Sequence, residues 1–203
     1  MSDPIWIAGT RSFAAEVIGY AREAGLEVAG LLEPHERANA ARTIHGLPVA
    51  WLEDAPAEPG ARAAVVGTGD ADRREVAERL AAAGFEAAAI VHPAAHVPES
   101  VTFGAGSIVA PGVVIGAHTE IGRQVVVGRG SLIGHHTRIA DHATLAPGSN
   151  VAGNCQIGEG AFLGMAAVVR DHLSVGGGAL VGMGAVVVAD VPTGASVRGL
   201  PAR

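Results

Sequence analysis

The sequence predicts two folded parts in 203 residues: a small α/β domain with a parallel sheet over residues 1–92, then a parallel β-helix over residues 93–203. Three observations carry this reading. From Val91 to Val187 every sixth residue is bulky and apolar, without a slip. The first ninety residues instead alternate short apolar runs with longer amphipathic runs, two of which stop at a Gly. No Gly/Ser-rich linker separates the two patterns, so the parts are expected to hold a fixed relation.

Taken in order, Ile5–Gly9 reads as a buried strand, and Phe13–Ala24 as a helix stopped by Gly25. Val28–Leu32 is a second strand, ended by Glu33-Pro34. A loop or short helix follows through His45-Gly46-Leu47-Pro48 to Val49. Ala63–Gly67 is a third strand, a helix covers about Asp72–Ala83, and Ala87–Val91 is the last strand. Strands alternating with helices imply a parallel sheet of Rossmann-like type. Ligands of such sheets sit at the carboxyl ends of the strands, which selects the loops at Gly9–Ser12 (with Arg11), Glu33 and Gly67–Asp70. The glycine pattern alone is weak: Gly9-Thr10-Arg11-Ser12 lacks the G-x-G-x-x-G spacing, and Gly67-Thr68-Gly69 reads equally well as a plain turn.

The repeat is far more specific. A period of six fits neither a helix nor an ordinary strand, and it is the mark of a parallel β-helix. Three hexads make one triangular coil, so residues 18 apart stack about 4.8 Å apart. The bulky residue fills the interior. A small residue four places on (Ser107, Thr119, Ser131, Thr137, Ala143, Ser149, Cys155) fits beside it. The Gly or Ala that mostly follows the bulky residue is expected to make the tight turn. Between five and six coils without a protruding loop are expected, with Val126, Leu132 and Val168 facing outward and needing cover.

Composition narrows the function. The net charge of −6 argues against a nucleic-acid binder, which needs a basic face. No apolar run approaches the ~18 residues of a membrane span. The opening MSDPIWIAGT lacks a signal-peptide layout, and the single Cys fits a reducing, cytoplasmic setting. All fourteen basic residues are Arg, so Schiff-base chemistry and a lysine base are excluded.

A small α/β domain joined to an uninterrupted hexapeptide helix resembles the nucleotide-sugar acetyltransferases of bacterial glycan synthesis. These include sialic acid O-acetyltransferases and UDP-4-amino-sugar N-acetyltransferases. The stretches that carry the resemblance are Ile133-Gly134-His135-His136, Leu145-Ala146-Pro147-Gly148, Ile157–Gly164 and Val197–Arg203. The resemblance implies a left-handed β-helix, a homotrimer, acetyl-CoA as cosubstrate with no metal, and a sugar acceptor, nucleotide-linked, acetylated on an amino or hydroxyl group. It assigns His135 as the catalytic His, acetyl-CoA contacts near Gly153, Met165 and Met183, and sugar-nucleotide loops at Gly9–Phe13, Glu33 and Gly67–Asp70. The chain departs from the pattern at three places. His136 stands where an Asp or Glu usually follows the catalytic His, Thr144 where a second His is frequent, and the first loop has lost two glycines and a His.

Five of the nine histidines fall in the repeat, where a His is ordinarily a polar turn residue. His118, His136, Asn154 and His172 are spaced by 18 and form one column. His135 belongs to the neighbouring column with Ala117, Gly153 and Asp171, and Gly153 is expected to leave room beside its imidazole for a substrate arm. Acetyl transfer from a thioester needs one proton removed from the attacking atom, and a neutral imidazole does this near pH 7. His136 as a neutral ring is not expected to replace the acid, so Asp141, Asp171 or a residue of an adjacent subunit is the expected substitute. Met165 and Met183 stack above Pro147 and suit a wall for the pantetheine chain, though packing between subunits explains them equally well. Arg198 and Arg203 suit the phosphates.

Two other functions remain open at this point. A γ-carbonic-anhydrase-like hydratase uses the same helix with His ligands, but its spacing requires His136, His172 and residue 177, which is Gly. A non-catalytic binding or scaffolding β-helix is the third reading.

Overall fold

The computed structural model describes residues 4–55 and 62–203, and of residues 70 and 71 the backbone alone. The chain divides into two compact units, Met1–Ile90 and Val91–Arg203. In the first, β1 (Ile5–Ala8) leads to α1 (Ser12–Glu23), β2 (Val28–Glu33), a short β3 (Thr43–Ile44), β4 (Leu47–Trp51), β5 (Ala63–Val66), α2 (Asp70–Ala82) and β6 (Glu86–Ala87). The sheet order is β3-β4-β2-β1-β5-β6, parallel throughout except for β3. β1 lies between β2 and β5, so the chain switches direction there and the loops after β1 and β5 open side by side. Helix α1 lays Ala14, Val17, Ile18 and Ala21 inward, the i, i+3, i+4, i+7 stripe of a half-buried helix.

Two expectations for this unit are corrected. Residues 43–51 form a hairpin rather than a loop or short helix: His45 and Gly46 both hold positive φ (51° and 76°), the geometry that joins two strands in a two-residue turn. The last strand is not Ala87–Val91. It ends at Ala87, and Ile90–Val91 pairs instead in the β-helix, 18 residues before Ile108–Val109.

The second unit is a left-handed parallel β-helix. Its strands are two residues long and fall into three parallel sheets, one on each face of a triangular prism. Every pairing from Thr102 to Val187 joins residues 18 apart, as in Val114↔Leu132 and Phe162↔Leu180. After Val187 one hexad is shortened, and Leu180 pairs with Ser196 at a step of 16. No loop interrupts the coils. The bulky series from Val109 to Val187 is at most 3% exposed, whereas Val91, in the first coil, is 36% exposed. The small column is buried as well, and its hydroxyls bond carbonyls 15 residues on: Thr119 to Gly134 (3.0 Å), Thr137 to Ala152 (3.1 Å). The hydroxyls of this column are thereby satisfied.

The turn chemistry differs from the expectation. The residue after the bulky one is not the one with positive φ; that residue lies two places further, every sixth residue from Gly106 to Gly184. Where it is not Gly it is His, Asn, Gln or Ala, and His118, His136, His142 and His172 all hold φ between 56° and 61°. His and Asn tolerate this region better than most residues. The glycine after the bulky residue serves a different need, close approach of stacked coils: a Cβ on Gly134 would lie 2.3 Å from the amide nitrogen of Gly153.

Val126 is also corrected. It is 7% exposed, while Leu132 (45%) and Val168 (38%) are open as expected.

Interior filling sets the stability of the prism. Leu145→Ala, at a fully buried position, should lower unfolding free energy by about 2–5 kcal/mol, read by denaturant titration.

Candidate active site

The three corners of the prism carry different chemistry. At the first, between the sheet of Val114, Leu132, Asn150 and Val168 and the sheet of Glu120, Arg138, Gln156 and Ser174, sit His118, His135, His136 and Gly153. The ring of His135 lies over Gly153: a Cβ there would stand 3.1 Å from both its Cε1 and Nε2. Gly153 therefore makes room for the imidazole itself, not for a substrate arm beside it. The backbone is pinned by the coil ladder, with Asn154 N donating to His135 O (2.9 Å) and His136 N donating to Ala117 O (3.0 Å).

His135 Nδ1 lies 3.0 Å from His136 Nδ1, and the two rings stand edge to face at 87°. The ring of His118, one coil below, lies 4.9 Å from that of His136. The expected acidic substitutes are elsewhere. Asp141 occupies another corner, where its carboxylate accepts Arg123 N (2.8 Å) and Arg123 Nε (2.9 Å). Burial pushes its pKa up, but these bonds and the guanidinium charge outweigh that and hold it below the ordinary carboxylate value. Asp171 lies 3.8 Å from His172. Among the described residues, the polar partner of the His135 ring is thus neither acid but His136.

At the second corner Met165 and Met183 stack above Pro147, 50% and 71% exposed. The shortened last coil places Arg198 one step above Gly182, whose added Cβ would meet Arg198 Cβ at 3.2 Å. Arg198 and Arg203 exchange backbone bonds (3.1 and 3.2 Å), so the chain's last loop folds back over this corner. Four expected acetyl-CoA residues thus gather at one corner: two exposed methionines, with the loop that carries Arg198 and Arg203 folded above them, suited to a pantetheine arm and its phosphates. Gly153 is not with them. It lies with His135 at the other edge of the apolar Val114–Leu132–Val168 face.

Cys155 is a buried filler of the prism, its Sγ donating to Arg170 O (3.2 Å), and burial pushes the thiol pKa up. It is poorly suited to be a nucleophile.

In the first unit the loops after β1 and β5 do open into one cleft, lined by Gly9, Thr10, Arg11, Phe13, His35, Gly67, Thr68, Gly69 and Asp72. Ser12 does not line it. Asp70 opens α2, but its side chain lies outside the described residues. Helices α1 and α2 both start at this cleft, after Arg11 and Gly69, and neither start has a side-chain cap. The N–H groups of these two first turns, which no N-cap side chain bonds, and Arg11 suit an anion. Thr68 has a buried hydroxyl without a partner among the described residues. Glu33 does not line the cleft. Its carboxylate accepts Thr10 Oγ1 (2.6 Å) and the backbone N–H of His35 (2.8 Å) and Glu36 (3.2 Å). Burial raises its pKa, but these bonds and the neighbouring His35 win and lower it overall. Glu33 thus shapes the loop. His35 and Asp72 escaped the sequence reading, whereas Thr10 and Thr68 fall inside the two loops it named.

The seat of His135 is tight enough to test. Gly153→Ala should displace the imidazole by a few tenths of an ångström and lower kcat, while circular dichroism and melting temperature remain close to wild type.

No protein-family model and no curated protein matches the sequence. Solved structures do. The N-acetyltransferase PerB from Caulobacter crescentus, in complex with CoA and GDP-perosamine, is 32% identical over 98% of this chain and 96% of its own, with a TM-score of 0.91. The acetyltransferase domain of PglB from Neisseria gonorrhoeae, in complex with acetyl coenzyme A, is 28% identical over 100% and 99%, with a TM-score of 0.89. WeeI from Acinetobacter baumannii is 27% identical over 98% of each chain, with a TM-score of 0.88. Identity above thirty per cent across nearly the whole of both chains, together with a shared two-unit architecture, means that the chain belongs to the hexapeptide-repeat family of nucleotide-sugar acetyltransferases, which use acetyl-CoA.

Proposed function

We propose that this protein acetylates the amino group of a nucleotide-linked sugar, as a homotrimer, with His135 as general base. The observation that carries this is the seating of His135 on Gly153 with its Nδ1 held by a neighbour. Its Nε2 is then the atom left to take a proton. The choice of nitrogen over oxygen is supported by the N-acetyltransferase PerB, crystallised with CoA and GDP-perosamine.

The chemistry follows from the residues. The sugar amine attacks the thioester carbonyl carbon, and its proton passes to His135 Nε2 as the C–N bond forms. The C–S bond breaks, and the same proton returns to the departing CoA sulfur. The products are the acetamido sugar and free CoA. The cleft at Arg11 and the two uncapped helix starts suits the diphosphate of the nucleotide, with His35 and Asp72 beside it.

The trimer is supported by three exposed apolar side chains, Val114, Leu132 and Val168, 38–45% open on the face they share with Asn150, which a second prism would cover. That face has the His135 corner along one edge and the Met165–Met183 corner along the other. Two copies meeting across it bring the base of one protomer to the thioester arm held by its partner. A setting inside the cell, where acetyl-CoA is made, fits this reading.

Among the described residues no cluster of three His, Cys, Asp or Glu is placed to hold a metal.

A free-thiol assay with acetyl-CoA and a panel of GDP- and UDP-linked amino sugars tests the activity. His135→Asn should lower kcat by roughly 10²–10⁴-fold with folding intact; near wild-type turnover would remove His135 as base. Leu132→Glu should yield monomers in sedimentation velocity and lose activity in parallel. A fully active monomer would exclude a site built across two copies.

A further inference from the structure

The family pattern places a carboxylate after the catalytic His, and this chain has His136 there. We infer that His136 is the positioning residue that replaces the acid, holding His135 as the Nδ1–H tautomer by accepting its proton through a lone pair on Nδ1. The inference rests on the reading of His135 as base.

The geometry leaves two arrangements for the 3.0 Å Nδ1···Nδ1 contact, because one ring donates and the other accepts. If His136 donated, the neutral His135 would carry its own proton on Nε2 and have no lone pair to offer the acceptor amine. If His135 donates, its Nε2 is free, and His136 carries its proton on Nε2 toward solvent. Only the second arrangement yields a base. When Nε2 then takes the amine proton, the Nδ1–H bond to His136 becomes charge-assisted and strengthens as the imidazolium forms. A carboxylate does the same with a full negative charge, and a neutral ring does it by hydrogen bonding alone.

Two structural features keep the acceptor in place. His136 sits at the turn position with φ 56°, fixed by its N–H bond to Ala117 O, so the ring projects from a constrained backbone. The ring of His118, one coil below, lies against it at 4.9 Å and 43°, and Asn154 occupies the same position one coil above. Further along the corner are Asp171 and His172, which pair with each other at 3.8 Å. Among the described residues no carboxylate bonds either ring of the pair.

The test compares His136→Gly, His136→Asn and His136→Asp, all residues that tolerate the left-handed backbone. His136→Gly removes the acceptor and should lower kcat by roughly 10–100-fold, the usual worth of a group that orients a functional His, with KM for both substrates unchanged. Asn and Asp each restore an oxygen acceptor and should recover kcat to within about tenfold of wild type. Asp alone should move the acid limb of the rate profile to higher pH, because its charge favours the imidazolium. In ¹⁵N-histidine spectra at neutral pH, His135 should appear as the Nδ1–H form in the wild type and lose that preference in His136→Gly. Wild-type kcat in His136→Gly, or His135 found as the Nε2–H form in the wild type, overturns the inference. The reading of His135 as base fails separately, through an active His135→Asn enzyme.

Discussion

The stacking of coils at an 18-residue step is the constraint on which the rest of this molecule depends. Each two-residue strand bonds the strand one coil above and one coil below, so no strand is stable alone and every residue's height on the prism is fixed by its neighbours. Because the step is constant from Thr102 to Val187, columns of residues become physical objects: a core column, a small column with its satisfied hydroxyls, and a turn column in the left-handed region. Functional side chains inherit their positions from these columns. His135 meets Gly153 because they are 18 apart, and His136 meets His118 for the same reason.

Glycine enters this scheme in two distinct ways. After the bulky residue it is required by distance, since a methyl group on Gly116 or Gly134 would lie within 2.4 Å of the next coil's backbone nitrogen. At the turn position glycine is one solution among several, and histidine is another. The abundance of histidine at that position is thus partly conformational, and its presence alone carries no chemistry. His136 stands apart because its ring lies within hydrogen-bond distance of a second imidazole, that of His135.

Under the proposed function the site is divided between two edges of one face, and a second copy would be needed to complete it. The exposed imidazole pair and the Met–Arg corner lie along opposite edges of one apolar face. An open, solvated imidazole has little reason to favour an amine over water, and an open thioester arm has no shield. Association of copies through that face would dehydrate both at once, which ties assembly to catalysis by the same apolar surface.

Much of this was legible in the sequence because a strict period has one structural solution: the β-helix, its 18-residue stack and the buried series follow from spacing, whereas the prominence of His135 rests on the family resemblance of the residues around it. The alternation of strands and helices likewise located the cleft at the loops after β1 and β5. What the sequence left undecided are matters of contact between residues whose separation no period encodes. The His45-Gly46 hairpin needed the backbone sign at two residues, and Val126 needed the environment of its face. Asp141 stands six residues from His135, yet three-sided winding carries it to another corner and to Arg123. The shortened last coil, which brings Arg198 and Arg203 together above Met183, depends on a two-residue loss that only the pairing register reveals. The partner of His135 was decided by tertiary structure too. Adjacent residues in a chain ordinarily point apart, and it took the left-handed turn at His136 to bring two neighbouring imidazoles within one hydrogen bond.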